Sequence, residues 1–172
     1  MKNLTVSSGI DFTNLNYITS SDHAIFLQRA DPKSGDVLVT KDGTLGVSRI
    51  VENWHPEFSI FVSVALLRPI IARLRPRMLH CFFDSGVYMR QLGKLSAGTG
   101  LKHIHLEHFR RFQIPLPSPP EQDAIIAIAQ SIDLVIWTEE QHCRKLLKEK
   151  QGLMKDLLTG RVRVKVTESA SR

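Results

Sequence analysis

The chain has 172 residues, 42% of them hydrophobic and 23% charged, with a net charge of +6. That length holds one ordinary domain plus an appendage, and the composition excludes disordered and fibrous classes. No apolar run approaches the roughly 20 residues of a membrane span, and the opening MKNLTVSSGIDF lacks the apolar core of a leader. Cys81 and Cys143 are too few and too distant for a disulfide framework or a zinc knuckle. A cytoplasmic protein with reduced thiols is expected.

Residues 1–34 carry Ser, Asn and Asp throughout and read as loops, with at most a short strand near Ala24–Gln28. From Gly35 the signal sharpens. GDVLVTKDGTLGVSRIV sets aliphatic and β-branched residues on either side of Asp42-Gly43, and glycine accepts the positive φ that a hairpin turn needs. Phe58 to Leu67 reads as a buried strand ended by Pro69. Between Pro76 and Leu92 the apolar spacing suits one or two short helices. A glycine-rich turn follows at Ser96–Gly100, then FQIPLP reads as an extended strand ending in prolines.

At Ser118 the periodicity changes. SPPE predicts a helix start: Ser118 caps, Pro119 occupies the first position where its missing N–H is harmless, and Glu121 reaches back to complete a capping box. An apolar row then runs through Ile125, Ile128, Ile132, Val135, Leu146, Leu153 and Leu157, and Gly160 is a natural stop. From Glu121 to Leu158 an unbroken helix is roughly 57 Å long at 1.5 Å per residue. A domain of about 115 residues cannot bury the whole of such a stripe, so part of it requires a partner helix. The alternative is a hairpin broken near Glu139-Glu140. The expected organisation is α+β: a mixed α/β head over residues 1–117, a helical arm over 118–160 and a short tail over 161–172.

The charge is uneven. Between Arg68 and Arg111 nine Lys and Arg stand against two Asp and Glu, a surplus of +7. Such a field draws in a polyanion and releases its counterions, although a solvated basic face has the same composition. The residues offered to such a partner are Lys41 at the hairpin tip, Arg73, Arg75 and Arg77, and Lys94, Thr99, Lys102 and His103 around the glycine turn. A competing pattern is HIHLEH, in which His103, His105 and His108 have the spacing of a zinc-dependent hydrolase site. That chemistry needs further ligands downstream, and the later sequence offers only His142, inside the arm. No site for a metal is assigned, and no nucleophile triad, Walker or Rossmann pattern points to an enzyme.

GDVLVTKDGTLG, AGTGLKHI, IPLPSPPEQDAII, a long helix and a terminal LLTGRVRV occur here in that order. In this the chain resembles the DNA specificity subunits of type I restriction–modification systems, from about Gly35 to Val166. The resemblance implies that the head is a target recognition domain reading one half of a split site on double-stranded DNA. It implies that the arm is a spacer helix that pairs antiparallel with another such helix in a coiled coil and docks methyltransferase (modification) subunits, with the restriction subunit reached indirectly. S-adenosylmethionine, ATP and Mg belong to those partner subunits, and no cofactor to this chain. The family's subunit has two recognition domains and two helices, and usually a longer lead before its Gly-Asp strand. One of each here implies either a half-subunit that dimerises through the helix or a portion of a longer subunit. A coiled-coil adaptor that binds only protein is the reading that competes.

Overall fold

A computed structural model describes residues 2–5, 9–95 and 103–164. The element order is α1 (Lys2–Thr5), α2 (Ser20–Arg29), β1 (Val37–Thr40), β2 (Ser48–Ile50), β3 (Val64–Leu67), α3 (Pro76–Phe83), α4 (Gly86–Leu95), α5 (Leu106–Phe109) and α6 (Pro119–Leu158). The fold is α+β, and the chain divides into two compact units, Met1–Ala127 and Ile128–Arg172. Residues 119–127 of α6 group with the first unit.

The three strands form an antiparallel sheet in the order β2-β1-β3. As the central strand, β1 is buried on both faces, which its run of Val37, Leu38, Val39 and Thr40 suits. Side chains alternate across a strand, so Val37 and Val39 face one core and Leu38 the other. On the first side they meet Leu79, Phe82 and Phe83 of α3, Tyr88 of α4, and Phe112. On the second side Leu38 packs with Leu4, Val51 and Val64. The register pairs Val37 with Ile50 in β2 and with Leu67 in β3.

The expected hairpin is present, but Asp42-Gly43 does not close it as a two-residue turn. The connection runs from Lys41 to Val47, with Gly43 at φ 62° and Gly46 at φ 81°. Within it the Thr40 hydroxyl accepts the Val47 amide at 3.0 Å and donates to the Thr44 carbonyl. The two helices expected after Pro76 are α3 and α4. Pro76 opens α3, where its ring costs no hydrogen bond.

Three expectations are corrected. The segment near Ala24–Gln28 is helix α2, capped by Thr19, whose hydroxyl accepts the Asp22 amide at 3.1 Å. The strand expected over Phe58–Leu67 is confined to Val64–Leu67, the part that β1 can pair; Phe61 and Val62 are exposed. FQIPLP is not a strand. The Gln113 backbone is satisfied by the Gln91 side chain of α4, through two bonds of 2.8 Å, and Pro115 and Pro117 have no amide to offer a ladder.

Helix α6 runs unbroken from Pro119 to Leu158, without a break at Glu139-Glu140. Glu121 accepts both the amide (2.8 Å) and the hydroxyl (2.6 Å) of Ser118, and these bonds hold its carboxyl below the usual carboxylate range. At the far end Gly160 has φ 70°, and the Val162 amide reaches back to the Asp156 carbonyl at 3.1 Å, closing the helix with a left-handed glycine.

Candidate nucleic-acid interface

The Gly-Asp pair before β1 has a structural task. Asp36 is 1% exposed, and its two carboxylate oxygens accept Nε and Nη2 of Arg68, each at 2.7 Å. It also accepts the Lys33 amide at 2.7 Å. The bidentate pair pushes the Arg68 guanidinium above its ordinary value. Arg68 therefore braces the strand β1 entrance rather than standing free for a ligand.

The arginines that follow divide by role. Arg73 is exposed and Arg77 is half-buried at the start of α3. Arg75 is engaged: its Nε and Nη2 meet the two oxygens of Asp123 at 2.9 and 3.1 Å, bonds that push its guanidinium up. Beside that pair Gln122 is fully buried. Its Oε1 accepts the Arg75 amide at 2.9 Å, and its Nε2 donates to the carbonyls of Arg73 (2.8 Å) and Pro117 (2.9 Å). The first turn of α6 is thus fastened to the arginine loop by the buried Gln122 side chain and, nearer solvent, by the Asp123–Arg75 pair.

The hairpin connection meets a second piece of chain. His103 Nδ1 donates to Asp42 Oδ1, and the two residues also form a backbone bridge. The amide of Ile104, itself fully buried, donates to the Lys41 carbonyl at 2.7 Å, and the Lys41 amide donates to Ser63 O at 2.9 Å. Bonded on both sides, Lys41 is only 9% exposed and does not occupy the tip of the hairpin. Gly43 and Thr44 are the exposed residues there. Lys94 is exposed in the last turn of α4. Thr99 and Lys102 lie outside the described residues.

The three histidines form a row rather than a cage. Their rings meet edge to face, His103 with His105 at 4.5 Å between centroids and His105 with His108 at 5.5 Å. His108 Nδ1 accepts the His105 amide at 3.2 Å and so caps α5. Among the described residues no group of His, Cys, Asp and Glu could hold a metal ion. A serine–histidine–aspartate grouping does occur, with Ser48 Oγ 2.6 Å from His80 Nδ1 and His80 Nε2 3.4 Å from Asp84. Ser48 is fully buried, so its hydroxyl is closed to any substrate, and the group ties β2 to α3.

In the second unit the row Ile128, Ile132, Val135, Leu146, Leu153 and Leu157 is exposed along α6, as is Ile125 in the first unit. Leu134, Ile136, Trp137 and Met154 widen the exposed apolar surface. No helix among the described residues is long and apolar enough to cross a membrane.

Sequence reasoning found the cations and the apolar row but missed Asp42, Gln122 and the partner of Arg75. Gln122 had a legible trace: a polar residue placed one position after the capping Glu121, directly behind two prolines.

The family model for the type I restriction modification DNA specificity domain matches residues 2–148. A specificity subunit of the type I restriction enzyme MjaVIII from Methanocaldococcus jannaschii is 35% identical over 93 residues, 54% of this chain and 22% of that protein. The EcoBI specificity subunit from Escherichia coli is 26% identical over 156 residues, 90% of this chain and 33% of that protein. The chain thus spans from about a fifth to a third of the length of these relatives.

Proposed function

We propose a DNA-reading role for this chain, which belongs to the family of type I restriction modification DNA specificity domains. In this reading it is a recognition module with no catalytic step of its own. The head reads one half of a split site on double-stranded DNA, and α6 sets the distance to a second reader. A family match that spans the head and most of α6 is the observation that carries this reading. The exposed cations Arg73 and Lys94, with Arg77, Thr99, Lys102 and His103, are the groups we assign to DNA. Lys41 and Arg75, first expected among them, support the loops instead. Cations on the phosphates set the register, and groups reaching base edges in the groove set the sequence read.

Helix geometry supports the spacer role. A 40-residue helix is about 60 Å long, and paired with a second such helix it is stiff enough to hold two readers at a fixed separation. The exposed row from Ile128 to Leu157 supplies the pairing face, and we assign it to a second copy of this chain, antiparallel. Light scattering at tens of micromolar should then report a dimer. A strictly monomeric mass would remove the pairing while leaving the DNA role in place. Methyltransferase subunits are the further partners of this reading, and the restriction subunit is reached through them. S-adenosylmethionine, ATP and Mg reside on those partners, and the work is done in the cytoplasm.

The exposed apolar row also favours a second reading, an adaptor that binds only protein. A salt titration separates the two. DNA binding should weaken steeply, with log K falling against log salt by about 0.9 for each phosphate neutralised. Selection from a random-sequence duplex pool should return a preferred sequence. A flat salt response with no preferred duplex would leave the adaptor standing.

A further inference from the structure

Asp42 is a carboxylate beside His103, one of the groups assigned to DNA, where it repels phosphate. Its position shows another use. The side chain accepts the His103 ring N–H, and the same two residues are bridged through the backbone. Both side chains are about one-third exposed, so this link closes the outer side of a joint whose inner side is the buried bond from Ile104 to Lys41. From His103 the imidazole row continues to His105 and to His108 at the start of α5. The β1–β2 connection and the histidine row are therefore held to each other by the Ile104–Lys41 bond on the inner side and by the Asp42–His103 link on the outer side.

We propose that Asp42 is a positioning residue for sequence-specific DNA reading, locking the β1–β2 connection and the His103–His105 face together so that both meet one half-site. The inference rests on the DNA-reading role given above. Removing the carboxylate has two opposed effects. Loss of a negative charge strengthens attraction to any duplex. Loss of the lock means that two pieces must be ordered during binding, a cost borne only where both make their base contacts. The preference for the correct sequence over an incorrect one falls, while general affinity does not.

The test uses the 172-residue chain and the duplex it selects from a random pool, with a base-scrambled duplex of equal length as control. Dissociation constants are measured at one salt concentration for wild type, D42A, H103Q, the double variant and D42E. The ratio of scrambled to selected should drop about tenfold in D42A, on the scale of one lost base-pair discrimination, and at least as far in H103Q. The double variant should lose no more than H103Q alone, and D42E should restore part of the ratio. Scrambled-duplex affinity in D42A should hold or tighten. An unchanged ratio, losses that multiply in the double variant, or equal weakening on both duplexes overturns the proposal. Should D42A fail to fold, D42E and H103Q carry the comparison. A wild type that selects no duplex overturns the DNA-reading role itself, and Asp42 falls with it.

Discussion

Replacing Gln122 with leucine should lower the unfolding free energy by about 3 kcal/mol, the sum of three side-chain hydrogen bonds lost at a buried site. Leucine fills nearly the same volume, so packing changes little and the polar loss dominates. The Arg75 amide and the carbonyls of Arg73 and Pro117 would all lose the partner that Gln122 gives them at 2.8–2.9 Å. Such groups cost more when stranded than they contribute when paired. For a chain of this size the loss corresponds to a melting temperature lower by roughly 6–12 °C. Urea unfolding with an unchanged slope would confirm a stability effect rather than a change in compactness. Asp123→Ala is the control. It breaks the Arg75 pair, but both partners reach solvent, so little stability should follow it. A Gln122→Leu variant as stable as wild type would show that the joint between the arginine loop and the helix start is held elsewhere.

The contrast between those two substitutions explains what was legible in the sequence. The hairpin was legible because β-branched runs flank a glycine, and the arm because a cap, two prolines and a repeating apolar row agree on one helix. Helix α2 was not. None of its residues is buried, so it carries no core-facing stripe, and its capping pair Thr19 and Asp22 is hidden among other Ser and Asp residues. The cations were visible as cations, but what each one does depends on residues far away in the chain. Arg75 meets Asp123, Arg68 meets Asp36, and Lys41 is enclosed by Ser63 and Ile104. Composition shows a charge, whereas long-range pairing decides whether it is spent on the fold or left for a ligand. That sorting moves the proposed reading surface away from Lys41 and Arg75 and onto Arg73, Lys94 and the histidine row. The family resemblance was legible for a different reason: the proline-rich junction and the terminal LLTGR sit one long helix apart, and a spacing of that kind survives without knowledge of any contact.

Gly46→Ala should be the most damaging single-atom addition in the head, at about 3–4 kcal/mol when overpacking and left-handed backbone strain are added. At φ 81° any side chain is strained before contacts are considered. The contacts are worse. A Cβ at this position would lie 2.3 Å from Tyr88 Cε1 and 2.6 Å from both Cζ and Oη. Tyr88 cannot retreat, because it is fully buried with its ring 5.0 Å from that of Phe83 and 5.2 Å from that of Phe112. The same burial pushes its phenol up to about 12. The β1–β2 connection must therefore spring away from the aromatic core, carrying Asp42 with it. A double-mutant cycle with Tyr88→Leu separates the two causes. With the ring gone, Gly46→Ala should cost only about 1–2 kcal/mol, the backbone share alone. Unfolding curves that show the same cost in both backgrounds would mean that the ring yields and the glycine serves the turn only. A large coupling would mean that this glycine exists to let the hairpin lie flat on Tyr88, and that the geometry of the β1–β2 connection is set from inside the core.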